Sequence, residues 1–325
     1  MPNPSVGAVI VFEDTIIGEG YTSPFGGNHA EVNAINSVKN KSLLAKSTIY
    51  VSLEPCSHFG KTPPCCDLIL KYKIPNVVVG SIDPNSKVSG TGIKRLQENG
   101  VTVVVGILES ECNELNKRFF TFHNKKRPYI ILKWAESQDG FIAPLSKDEQ
   151  APVWISNVFS RQLVHKWRSE EQAILVGTNT VVDDNPKLDV RDWYGKNPLR
   201  IVLDKSEKIT KNYHVKDNLI RTIVVTELEK NLIASTNCIY ENAIFDLTLT
   251  KSIIHILYKY GIQSILIEGG RKTIQTFIDD NLWDEARVFI STIRLQDGVN
   301  APISSGIFEM RTIKDDQLKL FFNHD

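Results

Sequence analysis

Along the first 125 positions, short β-rich apolar runs alternate with stretches spaced as one face of a helix. Val6-Gly-Ala-Val-Ile-Val-Phe12 and the run up to Gly18 predict a hairpin, with the charge carried by a Glu13-Asp14 turn. A helix is predicted from about His29 to Lys39, followed by a strand over Thr48 to Leu53. Pro63-Pro64 suits the first turn of a second helix, where a missing N–H costs nothing, and that helix should run through Leu68 to Lys73. Strand Val77 to Ser81, a helix near Gly92 to Glu98, strand Val101 to Val105 and a helix from Glu109 complete an α/β layer.

Asn124-Lys-Lys-Arg-Pro128 is polar, cationic and interrupted by proline, and the apolar pattern restarts at Tyr129-Ile-Ile-Leu-Lys133. A boundary is expected there, giving domains over 1–124 and 125–325, in line with the soft prior of about 150 residues per domain. The second half mixes strands (Ala173 to Gly177, Arg200 to Asp204, Thr222 to Thr226, Ser264 to Glu268, Arg287 to Ser291) with helical segments, and the halves do not read as copies.

Composition narrows the class. Hydrophobic residues make up 42% and charged residues 23%, ordinary for a folded globular chain. Lys+Arg and Asp+Glu are both 38, so no global basic field is available to hold a nucleic-acid backbone. The longest apolar runs, Val101 to Gly106 and Ile262 to Ile267, are too short to span a bilayer, and no basic segment followed by an apolar one opens the chain, so a cytoplasmic protein is expected. Of five cysteines, Cys56, Cys65 and Cys66 fall within eleven residues, which in a reducing compartment points to a metal or to reactivity. Cys112 and Cys238 stand alone and are expected to be plain packed or surface thiols.

His29-Ala-Glu31 opens a predicted helix, and Glu54-Pro-Cys56 with Pro63-Pro-Cys65 follows a strand and opens the next. Catalytic zinc sites use three protein ligands and keep a fourth position for water, so His29, Cys56 and Cys65 make a sufficient set. Residues i and i+2 lie about 200° apart on a helix, so His29 and Glu31 can converge only around its first turn. Zinc lowers the pKa of its bound water to about 7, and a carboxylate beside it can move that proton to a leaving amine, a role for Glu31. Each pair alone is weak; in this order they match the zinc deaminase signature. A closed, structural zinc site would need a fourth ligand, with His58 or Cys66 as candidates. Cys66, adjacent to Cys65, should point elsewhere on the helix and pack. Deaminases of nucleosides and nucleic acids commonly place two residues between the cysteines, whereas eight stand here.

With Pro2-Asn-Pro-Ser-Val-Gly7, His29-Ala-Glu31, Leu53-Glu-Pro-Cys-Ser-His-Phe-Gly-Lys-Thr-Pro-Pro-Cys65 and Asp83-Pro-Asn85, the chain resembles the bifunctional riboflavin-biosynthesis deaminase–reductase family. The resemblance implies a cytidine-deaminase-like three-layer α/β domain followed by a dihydrofolate-reductase-like domain. It makes His29, Cys56 and Cys65 zinc ligands and Glu31 the proton donor. Asn3, His58, Lys61 and Thr62 would line the pyrimidine and ribose-phosphate site, Lys61 as a flexible point charge for phosphate. Asp83, before Pro84, reads as a turn residue. Relatives carry a helix ahead of the Pro-Asn-Pro motif, which here follows Met1 directly; either the start site is misplaced or the fold tolerates the loss, and if the helix is missing an apolar face of the first sheet is expected to be exposed.

In the second half, strand Ser264 to Glu268 runs into Gly269-Gly270 and a helix from about Lys272. Such glycines let backbone amides approach a phosphate, but the full Gly-x-Gly-x-x-Gly fingerprint is absent and no Rossmann domain follows. The resemblance implies a reductase using NADPH, contacted by Ala135, Trp154, Thr180, Asp184 and Gly270, Arg271, Lys272, Thr273, Ile274, Gln275 and Thr276. Arg168, Leu188, Arg191 and Glu268 would contact substrate, the arginines suiting bidentate recognition, and Lys133 with Glu268 would assist ribose opening and protonation. Two departures bear on affinity: Pro152 stands where relatives carry a substrate-contacting serine, and Lys205 where they carry a small hydroxyl.

The leading expectation is therefore a zinc- and NADPH-dependent enzyme acting on a small pyrimidine ribosylamine phosphate, a homo-oligomer without nucleic-acid or membrane partners. The rivals are a nucleoside or nucleic-acid deaminase with an unrelated C-terminal domain, and a non-catalytic zinc-stabilised binding module.

Overall fold

The computed structural model describes residues 4–59, 63–85, 88–228 and 237–323. Two compact units divide the chain, Met1–Lys126 and Arg127–Asp325. Asn3, Lys61 and Thr62, three of the expected substrate contacts, lie outside the described residues.

In the first unit, β1 (Gly7–Phe12) and β2 (Thr15–Tyr21) form the expected hairpin, with Glu13 and Asp14 both at positive φ. That is the geometry whose twist matches a two-residue hairpin. Then come α1 (Ala30–Ser37), β3 (Thr48–Leu53), α2 (Cys65–Lys71), β4 (Asn76–Ser81), α3 (Thr91–Glu98), β5 (Thr102–Val105), α4 (Glu109–Leu115) and α5 (Lys117–Lys125). The sheet order is β2-β1-β3-β4-β5, antiparallel across the first three strands and parallel from β3 to β5. One face buries Ala8, Ile10, Ile49, Val51, Val77 and Val79 against Ala34 and Ile35 of α1, Ile69 of α2 and Leu96 of α3. On the other face, cross-strand neighbours Val9, Tyr50, Val78 and Val104 form an apolar row that is half-buried at Val9 and Val78 and exposed at Tyr50 and Val104.

Two local expectations change. Pro64 stands at the N-cap of α2, so the helix begins at Cys65. The helix predicted from Glu109 is broken at Asn116, whose buried amide accepts from the Ser5 N–H at 2.8 Å and donates to its carbonyl at 2.9 Å.

The second unit holds β6 (Tyr129–Glu136), β7 (Phe141–Ala143), α6 (Val158–Glu170), β8 (Ala173–Gly177), α7 (Thr178–Asp184), β9 (Leu199–Leu203), β10 (Thr222–Thr226), β11 (Cys238–Asn242), α8 (Leu249–Lys259), β12 (Ser264–Ile267), α9 (Arg271–Asp279), β13 (Glu285–Ile290), β14 (Val299–Asn300), β15 (Phe308–Ile313) and β16 (Asp316–Phe322). Its main sheet runs β11-β10-β9-β8-β12-β6-β13-β16-β15, parallel through β13 and antiparallel beyond. Strands buried on both faces read as unbroken apolar runs, as Ile130-Ile-Leu132 and Ile265-Leu-Ile267 do. One face packs on Ile253 and Leu257 of α8 and Phe277 of α9, the other on Val164 and Trp167 of α6. Arg127 is no solvated linker residue: its buried guanidinium grips Asp284 at 2.5 and 2.9 Å. No helix among the described residues is long and apolar enough to cross a membrane.

Candidate active sites

In the first unit, His29 is the N-cap of α1, in extended conformation, and Glu31 lies within the first turn. Cys65 opens α2, while Cys56 follows β3 on the connecting loop. His29 Nδ1 lies 3.5 Å from Cys56 Sγ and 3.3 Å from Cys65 Sγ, and the Cys65 N–H donates to Cys56 Sγ at 3.3 Å. The three ligand atoms all lie within 4.8 Å of one another. Ligand bonds of about 2.0 to 2.3 Å from one centre give such separations, so the donor set fits a single tetrahedral zinc ion. Hydrogen bonding from Cys65, with His29 beside it, draws the Cys56 thiol down to about 4 even though burial opposes this. Its partner Cys65 is pushed up by the same shared proton and by burial.

Glu31 is buried, and burial chiefly raises its carboxyl to about 7. His58 is exposed and is not in the cluster, and Cys66 points into the core, its Sγ against the Pro55 and Gly92 carbonyls at 3.4 and 3.6 Å. Among the described residues no fourth protein ligand closes the set.

A second layer holds the cysteine loop. The buried Glu54 carboxylate accepts backbone N–H groups from Asp83, Gly90, Gly92 and Ile93 at 2.9 to 3.3 Å, tying the start of α3 to the peptide just before Cys56. The contact is close: a Cβ at Gly92 would sit 2.0 Å from the Pro55 carbonyl oxygen. Asp83 accepts from the Asn85 N–H at 2.8 Å, a turn interaction, and burial chiefly lifts its carboxyl to about 6. Sequence reading named Glu54 only as part of a motif; its cluster of four amide donors is a long-range feature.

The second unit contains a cavity of about 1660 Å³ lined from β6, β8, β9, α6, α7 and α9. Parallel α/β sheets bind ligands outside the carboxyl ends of their strands, where Gly177, Leu203 and Glu268 stand. Of the expected residues, Lys133, Ala135, Trp154, Arg168, Thr180, Asp184, Leu188, Arg191, Glu268 and Gly270 through Thr276 all line it, as do Pro152 and Lys205.

Three of them form a buried ionic group. Arg168 Nε and Nη2 each reach Glu268 at 2.8 Å, and Lys133 Nζ lies 3.9 Å from the same carboxylate. Burial would raise the Glu268 carboxyl, but Arg168 and Lys133 carry it down to about 2. Burial lowers Lys133, with Glu268 opposing. The Arg168 fork is thus already engaged, and Arg191, with its side chain 42% exposed, is the arginine presented outward.

Gly269 and Gly270 do different work. A Cβ at Gly269 would lie 2.5 Å from Val176 Cα and 2.8 Å from Gly177 N, so glycine lets the chain leaving β12 pass against β8. Gly270 has φ +60 and caps α9, 3.2 Å from the Thr180 hydroxyl oxygen as measured from a built Cβ. Gly269→Ala is expected to cost a few kcal/mol, as overpacking against backbone does. Thermal melting checks it.

Other expected contacts are occupied in the protein. Asp184 is paired with Lys147, Gln275 bonds the Ile303 N–H and Asp279, and the Ile274 side chain is buried in the core. Trp154 stands half-exposed at the rim with the Arg161 guanidinium 4.7 Å from its ring centre. Sequence reading missed Lys147, which sits in a loop, and His165, whose one signal is its place one turn before Arg168 on α6.

Comparison with known proteins gives concordant results for both units. Residues 1–81 match the cytidine and deoxycytidylate deaminase zinc-binding region, and residues 128–312 match the RibD C-terminal domain. The riboflavin biosynthesis protein RibD of Aquifex aeolicus is 39% identical over 320 residues, covering 97% of this chain and 86% of that protein. Its counterpart from Escherichia coli is 34% identical, covering 89% and 82%.

Among solved structures, a diaminohydroxyphosphoribosylaminopyrimidine deaminase/5-amino-6-(5-phosphoribosylamino)uracil reductase from Thermotoga maritima matches with TM-score 0.86 at 37% identity, covering 99% of this chain and 93% of that one. RibD of Acinetobacter baumannii matches at 0.88 and 30%, covering 100% and 93%. A zinc-type deaminase donor set in one unit and a reductase cavity in the other, with relatives spanning both, leave no place for an unrelated C-terminal domain: the chain belongs to the RibD family of bifunctional deaminase–reductases of riboflavin biosynthesis.

Proposed function

We propose that the first unit removes an amine hydrolytically from 2,5-diamino-6-(5-phosphoribosylamino)pyrimidin-4-one and that the second reduces the ribosyl group of the product to ribityl. The observation that carries the reading is the convergence of His29, Cys56 and Cys65 beside a buried Glu31. These three ligands would hold zinc, which supplies Lewis acidity that makes water nucleophilic near neutral pH. Glu31, raised to about 7, is poised to take a proton from the attacking water and return it to the departing amine. Asn3, His58, Lys61 and Thr62 would bind the pyrimidine and ribose phosphate.

In the second unit NADPH would supply the hydride. The positive-φ Gly270 and the first N–H groups of α9 suit its pyrophosphate, with Thr180 and Thr273 alongside. Lys133 and Glu268 face the cavity where a ribosyl ring would open, Lys133 with a proton held loosely by burial. Leu188 and Arg191 would meet the rest of the substrate. A reducing cytoplasm would keep Cys56 and Cys65 able to take the metal. The edge strand β15, with Phe308 and Met310 exposed, supports a homo-oligomer.

The test is NADPH oxidation by the purified chain given the diaminopyrimidinone ribosylamine phosphate. The expected outcome is oxidation by the parent and none by Cys56→Ala, with oxidation restored in that variant by the already deaminated pyrimidine. Oxidation by Cys56→Ala without that supply would overturn the order of steps.

A further inference from the structure

We propose that His165 is a positioning residue of the reductase site, clamping the 188–192 loop so that Leu188 and Arg191 face the cavity. The inference rests on the reading of that loop as a substrate wall.

The ring is buried on α6, with its side chain 4% exposed, and both nitrogens address one loop. Nδ1 lies 3.0 Å from the Asp189 carbonyl oxygen and 3.4 Å from the Arg191 backbone nitrogen. Nε2 lies 3.2 Å from Asp192 Oδ2. One turn further along α6, Arg168 Nη1 donates to the same Asp189 carbonyl at 3.2 Å while the rest of its fork holds Glu268. The helix that carries the buried ionic group therefore also lies against the loop: Arg168 donates to the Asp189 carbonyl, and the single proton of the neutral His165 ring goes either to that carbonyl from Nδ1 or to Asp192 from Nε2.

The loop needs a hold. Leu188 is buried at φ +53, a left-handed conformation that costs a branched residue about 1 to 2 kcal/mol. Arg191 pairs with the Asp189 carboxylate at 2.7 Å and stays half-exposed, so the reach of its guanidinium is set by where the backbone of residues 189–191 lies. A histidine serving only the core would satisfy one nitrogen locally. Here both nitrogens lie against the segment that presents the outward arginine.

The test compares steady-state reductase kinetics of the full-length zinc enzyme and its His165→Ala, His165→Asn and Arg191→Ala variants, with the deaminated pyrimidine ribosylamine phosphate as probe. His165→Ala is expected to raise KM for that substrate about tenfold, the scale of one lost hydrogen bond, with KM for NADPH and the rate of ammonia release unchanged. His165→Asn keeps an amide that can donate or accept near the Nδ1 position and is expected to recover most of the loss. It also carries the test should His165→Ala fail to fold.

A substrate KM that stays at the parent value in both His165 variants, while Arg191→Ala raises it, would overturn the clamp alone. So would a uniform fall in every constant that tracks lost stability. An unchanged KM in Arg191→Ala would overturn the reading of the loop and the clamp with it.

Discussion

Glu31→Gln is expected to abolish ammonia release while zinc stays bound. The substitution keeps shape and size in a buried position and leaves His29, Cys56 and Cys65 untouched. What it removes is a buried carboxyl, raised by burial, beside the donor set, where it can accept and donate a proton. Positioned general acid–base groups contribute about 10² to 10⁴ in rate, so turnover should fall by about a hundred- to ten-thousandfold. Ammonia release and zinc content, measured on one preparation, separate the chemistry from the metal site. Retained turnover would remove Glu31 from the reaction, and lost zinc would make it a structural support of the ligands.

The donor set was legible in the sequence because two of its three members are tied to helix starts, while Cys56 sits on the loop after β3. His29 falls at the N-cap of α1 and Cys65 at the first residue of α2, so geometry that depends on helix ends follows from local pattern. Apolar, β-branched runs such as Thr48 to Leu53 and Thr222 to Thr226 made the central strands legible, whereas β7, β11, β14, β15 and β16 were not read from the sequence.

The reductase site was less legible. Arg168 and Glu268 are a hundred positions apart and Lys147 and Asp184 thirty-seven, and nothing local to any of these residues says that it is already paired. Gly269-Gly270 read as a phosphate loop, yet Gly269 answers to the backbone of β8, a neighbour fixed only by the sheet order. The Asn116 side chain is anchored in the same long-range way, since its partner is Ser5.

The buried ionic group sets the second large effect. Glu268→Gln should abolish NADPH oxidation and destabilise the enzyme by about 3 to 5 kcal/mol, because it leaves Arg168 and Lys133 without their shared carboxylate. Burial already lowers Lys133, so with Glu268 neutralised that ammonium gives up its proton more easily, and Arg168 loses its bidentate carboxylate, keeping Asp189 and Asp192 as its acidic neighbours. The pH dependence has a definite sign. Glu268 titrates at about 2 when folded, against 4.5 as its ordinary value, so its contribution is complete above about 4.5 and is lost as pH falls from there toward 2. Denaturant unfolding of parent and variant should therefore differ most near neutral pH, and the gap should narrow as the solution is acidified below about 4.5. Equal stability at pH 7 with reduction intact would show that the carboxylate neither holds the two cations nor serves the reaction. A constant gap across the acid range would trace the loss to packing rather than to charge.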